Sequence, residues 1–439
     1  MDTLSQLRAG QLTGARRLDL SCDLEALPPE VFDLADTLEV LNLTGNRLQS
    51  LPDDFAKLQK LRILFCSENC FTHLPEVIGA CPQLSMVGFK ANAIETVADK
   101  ALPASLRWLI LTDNRIETLP TSLGRCTRLQ KLMLSGNQLR TLPDSMAHCV
   151  NLEMIRLAAN EFDDLPAWLL TMPRLAWLAL AGNPCAPAPA LETLPSSIEW
   201  SDLHLIGLLG EGASGFIHRA HWQSNPGSPP REVAVKIFKG AMTSDGLPAC
   251  EVSASLTAGP HPHLIGIQGH VVGHPSGAPG LVMSLIASEF TSLAGPPSFD
   301  SCTRDVYPED RRFAPHVALR IAQGLASAAA HLHRHGIMHG DFYAHNVLTP
   351  TAGDCLLGDF GAASFYQPHH AKALQQIEVR ALGYLIEELT TRIESTEQDD
   401  ALNHAMKAIQ DECLSPDVAS RPSFAEVRDR LKQLDQLSS

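Results

Sequence analysis

The sequence is short of positive charge, of paired cysteines and of long apolar runs, and each shortage removes a class of function. Lys and Arg number 34 against 49 Asp and Glu, for a formal net charge of −15. No Lys/Arg run gathers the cations together, so nucleic acid and an anionic membrane are set aside as main partners, since both favour clustered basic surface. The 11 Cys are scattered, with no CxxC pair and no Cys/His cluster at zinc spacing. That argues against a disulfide framework or a structural metal and for reduced, buried small hydrophobes. No segment has the apolar length of a membrane span, and the start Met1-Asp2-Thr3-Leu4-Ser5 is acidic and polar where a signal peptide is basic and then apolar. The expected location is the cytoplasm. What is present, 439 residues with 45% hydrophobic and 19% charged, suffices for two or three globular cores.

The first half repeats itself. The pattern LxxLxLxxN, with some substitution, starts at Leu38, Leu61, Leu84, Leu106, Leu129, Leu152 and Leu175, and places Asn46, Asn69, Asn92, Asn114, Asn137, Asn160 and Asn183 in one register. An irregular further copy around Leu18-Asp19-Leu20 is expected to cap the N-terminal end. Each unit reads as a short strand with leucines turned inward, followed by a turn whose backbone the Asn side chain bonds. One unit cannot bury its apolar face alone, whereas a stack can. Recurring Leu-Pro pairs, such as Leu51-Pro52 and Leu142-Pro143, begin the convex return.

This stretch resembles the leucine-rich-repeat family over residues 15 to 195, and an α/β solenoid of about eight repeats is expected over 1–195. The third and fifth pattern positions should face solvent on the concave side. They hold Phe65, Trp108, Met133, Met154 and Trp177, large apolar groups in a nominally exposed stripe. Such a stripe points to a protein partner with these five as anchors, or to packing against the chain's own second half. Between the halves, Pro184 through Trp200, with Pro184, Pro187, Pro189 and Pro195, reads as a semi-rigid hinge too short and polar to cross a membrane. Residues 196–202 are its expected end.

In the second half, Gly210, Gly212 and Gly215 form GxGxxG, and Ile217 follows where a β-branched side chain would cover an adenine. The bare motif fits a dinucleotide-binding fold equally well. Val233-Ala234-Val235-Lys236 then gives a strand ending in Lys, which brings an ammonium to nucleotide phosphates that glycine backbone can approach. Next come His339-Gly340-Asp341-Phe342-Tyr343-Ala344-His345-Asn346 and Asp359-Phe360-Gly361. The order and the Asp-to-Asn spacing resemble the protein kinase family over residues 203–437, in its branch with Gly before the catalytic Asp, and imply a two-lobed α+β fold.

By that resemblance Asp341 accepts the proton of a substrate hydroxyl, and Asn346 and Asp359 hold Mg²⁺ against the phosphates of ATP. Lys236 needs a carboxylate, which Glu251 supplies unless it is a solvated helix residue. Ala234 lines the adenine pocket, Met283 stands at its back, and Ser284 to Ile286 meet the adenine edge, although a plain core strand is the competing reading there. The run His331, His333, His335, His339 invites a metal reading, but these histidines fit structural places beside the catalytic loop better.

The pattern also departs from the family. Gly340 stands where many kinases carry an Arg that answers a phosphorylated activation segment. Only Ala362 to Ile377 separate Asp359-Phe360-Gly361 from the helix at Glu378, with no Ala-Pro-Glu, so the usual peptide platform is shortened or absent and Arg421 lacks its customary Glu. Tyr343 stands where Ser/Thr kinases generally carry Lys. The expectation is an ATP- and Mg²⁺-dependent protein kinase, Ser/Thr by overall resemblance. A nucleotide-binding pseudokinase scaffold and a small-molecule kinase are the alternatives.

Overall fold

The computed structural model describes residues 2–439 apart from 195, 213, 225–226, 241, 244, 395–399 and 438–439. Pro195 of the expected hinge therefore lies outside the described residues. The chain divides into two compact units, Met1–Arg174 and Leu175–Ser439.

In the N-terminal unit the repeat produces three-residue parallel strands: Arg17–Asp19, Val40–Asn42, Ile63–Phe65, Met86–Gly88, Trp108–Ile110, Lys131–Met133 and Met154–Arg156. They pair without slip, Leu18 with Leu41, Leu41 with Leu64, Leu64 with Val87, Val87 with Leu109, Leu109 with Leu132 and Leu132 with Ile155. These central residues are all fully buried, because side chains alternate along a strand and a slip would turn each leucine outward. The irregular copy near Leu18 does form the first strand. Single 3₁₀ turns such as Asp53–Lys57 and Asp144–His148 make the convex side, each entered through the Pro of a Leu-Pro pair.

The repeated Asn stitches neighbouring repeats together. Asn137 donates from Nδ2 to the carbonyls of Leu111 and Leu134, each at 2.9 Å, and accepts from the Ile116 amide at 3.0 Å. Asn114 and Asn160 bond in the same way one repeat before and after. Buried backbone groups that the turns leave unpaired are thereby satisfied, which is why Asn recurs at that position.

The C-terminal unit begins inside the repeat pattern, with the strand Trp177–Ala179. It continues into a six-stranded sheet whose edge is Ser197–Glu199, parallel to Ile267–Val272, followed by Gly280–Ser284, Arg231–Phe238, Gly215–Trp222 and Leu203–Glu211. The expected hinge is corrected here. Ile198 packs in the same core as Val233, Val235, Val271 and Val282, and Leu191 packs against Phe238, Val252 and Leu281. The Ser253 hydroxyl also donates to the Pro189 carbonyl at 2.8 Å. Apolar side chains spaced among the prolines hold this segment down, so it is part of the lobe and not a free connector.

Below the sheet lie the long helices Pro315–Arg334 and Ala371–Thr390, with Asp400–Cys413 and Phe424–Gln433 beside them. Pro315 starts the first of these at a position where its missing N–H costs nothing. Gly336, at φ +69°, turns the chain after that helix into the two-residue strand Ile337–Met338, which pairs antiparallel with Ser364–Phe365. That pairing carries the segment after Asp359 straight back past the Asp341 loop. Among the described residues no helix is long and apolar enough to cross a membrane, and all cysteines except Cys22 and Cys70 are buried.

Candidate active site

A cleft of about 540 Å³ opens between the sheet and the helical part of the C-terminal unit. Its roof comes from two antiparallel pairings: Ile217 lies opposite Lys236, and Ala234 opposite Met283. Ile217, Ala234, Lys236, Met283, Ser284 and Ile286 all line it, as do Glu251 and Asp359. Gly215 is required where it stands, since a Cβ there would lie 2.4 Å from the Ile237 carbonyl oxygen. Gly210 and Gly212 instead have open space where a Cβ would be, and the Gly212 amide closes the hairpin onto the Gly215 carbonyl at 2.9 Å.

Lys236 and Glu251 form an ion pair at 2.5 Å, and both are buried. The helix Pro248–Ala258 delivers Glu251 from its first turn. Burial pushes the Glu251 carboxyl up to about 7; Lys236 opposes the rise and Asp359 adds to it. Glu251 is thus no solvated helix residue.

The acidic side of the site is built from the loop around Asp341. Asn346 donates from Nδ2 to the Asp341 carboxylate at 2.7 Å and to its carbonyl at 2.9 Å, so a cation would meet this side chain through its amide oxygen. The Gly358 amide donates to the Asn346 carbonyl at 3.0 Å, and the fully buried His339 meets the Gly358 carbonyl through Nε2 at 2.9 Å. Asp359 is therefore tied to the same loop. It is exposed, with φ +52°, a backbone state that a non-glycine residue adopts at some cost. The donor set of one carboxylate and one amide oxygen suits a hard divalent cation such as Mg²⁺.

Several supporting groups were not assigned from sequence. Glu378, wholly buried, accepts from the amides of Gly340 at 2.6 Å and His339 at 3.2 Å, and pairs with His333 at 2.8 Å. Burial alone would raise its pKa, but the hydrogen bond and charge of His333 hold it below the ordinary carboxylate value. Asp305 anchors His345 by two bonds of 2.7 and 2.8 Å. Arg421 finds its partners in the carbonyls of Gln376 and Ser415, at 2.9 and 2.8 Å. The sequence expectation of a helix beginning at Glu378 is corrected, since that helix starts at Ala371 and Glu378 lies two turns in; the Asp305 contact joins residues 40 apart and left no sequence signal.

The expected partner-binding stripe requires correction. Phe65 and Trp108 are half-buried, with Gly88 leaving room for the Phe65 ring and the Lys131 ammonium 4.2 Å over Trp108. Met133 and Met154 are buried, and Trp177 is only 1% exposed. The pattern fixes the side on which a side chain leaves the sheet; it does not fix what then covers it. Trp177 stacks on Tyr343 at 4.3 Å with 4° between the rings, and on Tyr384 at 5.4 Å, and its indole N–H donates to the Phe342 carbonyl at 3.2 Å.

Comparison with known proteins matches two families to separate stretches of the chain. The family described as protein tyrosine and serine/threonine kinase matches residues 203–381, and the leucine rich repeat family matches 36–94, 104–162 and 127–184. The chain is 27% identical over 169 residues to the serine/threonine-protein kinase mos of Xenopus laevis, covering 38% of this chain and 43% of that one. It is 26% identical over 167 residues to the serine/threonine-protein kinase PITSLRE of Drosophila melanogaster, covering 38% and 16%. It is 32% identical over 128 residues to the probable inactive serine/threonine-protein kinase roco10 of Dictyostelium discoideum, covering 27% and 5%. The chain thus spans less than half the length of these relatives.

Proposed function

Since the chain joins leucine-rich repeats to a protein kinase domain, we propose that it transfers the γ-phosphoryl group of Mg²⁺-ATP to a Ser or Thr hydroxyl of a protein. The observation that carries this reading is the buried Lys236–Glu251 pair lining one cleft with Asp359, while Asp341 is held by Asn346. ATP enters with its adenine beneath Ile217 and Ala234 and its edge toward Ser284 and Ile286. Lys236, kept in place by Glu251, neutralises phosphate oxygens, and the glycine hairpin covers the phosphates. Asn346 and Asp359 hold Mg²⁺, which supplies charge neutralisation at the phosphates when bound.

Asp341 orients the acceptor hydroxyl and takes its proton as the oxygen attacks the γ-phosphorus. The bond to the β–γ bridging oxygen breaks and ADP leaves. The half-exposed Phe65 and Trp108 offer a protein partner or substrate its anchors on the repeat surface. The cytoplasm is the proposed location, in keeping with cysteines that are free and mostly buried.

The test is transfer of labelled γ-phosphate to the protein itself and to a generic protein substrate, with Lys236→Met alongside. Label that disappears in Lys236→Met is the expected result. No label from the unaltered chain, with thermal stabilisation by nucleotide retained, would replace the enzyme with a nucleotide-binding scaffold. The likeness to a probable inactive kinase and the short segment after Gly361 favour that second reading.

A further inference from the structure

We propose that the last repeat is a working part of the phosphoryl-transfer site, with Trp177 a positioning residue that holds the Asp341 loop; this rests on the kinase reading above. One hydrogen bond and one close backbone approach from a short stretch reach that loop, and a second hydrogen bond reaches the segment beside it. The Trp177 indole N–H bonds the carbonyl of Phe342, the residue that follows Asp341. The Leu178 carbonyl oxygen lies 2.7 Å from where a Cβ on Gly340 would stand, immediately before Asp341. The Leu180 amide donates to the Ser364 hydroxyl at 2.8 Å, fixing the segment that returns from Asp359.

The Trp177 ring is itself held on two sides. Tyr343 comes from the Asp341 loop, and Tyr384 from the helix that also carries Glu378. Tyr384 is braced in turn, with the guanidinium groups of Arg304 and Arg380 at 4.0 and 5.0 Å from its ring. Glu378 grips the Gly340 amide from the opposite direction. Asp341 therefore sits between two anchored residues, Gly340 tied through its amide to Glu378 and Phe342 tied through its carbonyl to Trp177. Its carboxylate direction, which in-line transfer requires to within a fraction of an ångström, depends on both.

This arrangement also accounts for Gly340. Its φ of +74° suits glycine, and a side chain there would collide with the Leu178 and Ala362 carbonyls. An Arg that reads a phosphorylated segment cannot occupy the place. The repeat strand does the ordering instead, so the loop is set when the chain folds and needs no modification of the short segment after Gly361.

The experiment uses the full chain, with steady-state transfer to a generic protein substrate and amide hydrogen exchange across residues 341–346. Trp177→Ala is expected to lower kcat about 10²-fold, as for a misplaced catalytic group, with KM for ATP within about twofold and faster exchange in the loop. Trp177→Phe keeps a stacking ring and loses the N–H donor. Its kcat should fall about tenfold, the rate equivalent of one lost hydrogen bond, and this variant decides the matter if Trp177→Ala does not fold. An unchanged kcat in folded Trp177→Phe would overturn the proposal while leaving the kinase reading intact. A rise in kcat would overturn it too, by making the strand an obstruction. No transfer by the unaltered chain would remove both readings together.

Discussion

Trp108 and Trp177 occupy the same position of the same repeat pattern, three repeats apart, and end in opposite surroundings. Trp108 keeps part of its surface open and meets a Lys131 ammonium. Trp177 lies buried between two tyrosines with its N–H committed to a loop carbonyl. The strand backbone is alike in both places, so the difference comes from residues more than 150 positions downstream. A repeat sets the direction of a side chain, and its role is set by whatever else folds against it.

The largest test of that contrast is stability. Trp177→Ala should cost the C-terminal unit about 3–5 kcal/mol, the range for emptying a packed aromatic site, whereas Trp108→Ala should cost the N-terminal unit no more than about 1 kcal/mol, because only part of its area leaves water. Denaturant unfolding followed by circular dichroism measures both, and equal losses would break the comparison.

A pH series sharpens it next, since the cleft of the C-terminal unit holds a carboxyl that titrates near neutrality. Glu251 has its folded pKa raised to about 7, so its ion pair with Lys236 is intact above that value and is lost as pH falls through it. kcat/KM for ATP should drop below about pH 7, and Glu251→Gln should abolish that inflection. The linked stability runs the other way: the raised pKa contributes stability that is fully present below the ordinary carboxylate range and lost as pH rises through about 7. Glu378, held low, contributes stability above the ordinary range and loses it on acidification.

The smallest effect concerns the open surface. Phe65→Ala with Trp108→Ala should weaken capture of a protein partner while the unit's unfolding midpoint moves little. Lys131→Ala alone should change stability by about 0.5–1 kcal/mol at most, the size of an exposed cation–π contact. Undiminished capture by the double variant would move the partner surface elsewhere.

The repeat strands were legible because their determinants are local and periodic: a leucine every second residue inside, an Asn at a fixed offset, a Leu-Pro at each return. The cleft was legible for a different reason. Lys236 and Asp359 stand in motifs whose spacing the chemistry of phosphates and cations constrains, and both line the cleft, while Asp341 and Asn346 are joined to each other in the loop beside it. What escaped was the set of long-range pairings. Nothing in the sequence near Pro184–Trp200 reveals that Ser197 will pair with His270, and nothing near Trp177 announces Tyr384. Met133 and Met154 escaped similarly, since periodicity assigns a column and burial depends on the completed surface.

The strand Ser197–Glu199 has one more consequence. It is three residues long, it ends on an exposed Glu, and it covers the side of Ile267–Val272. A chain trimmed to the residues that match the kinase family, beginning at 203, would bare that six-residue strand with its row of unpaired N–H and C=O groups. Bare edges of that kind are templates for pairing with another chain, so a chain cut at 203 is expected to associate with itself more readily than the full one.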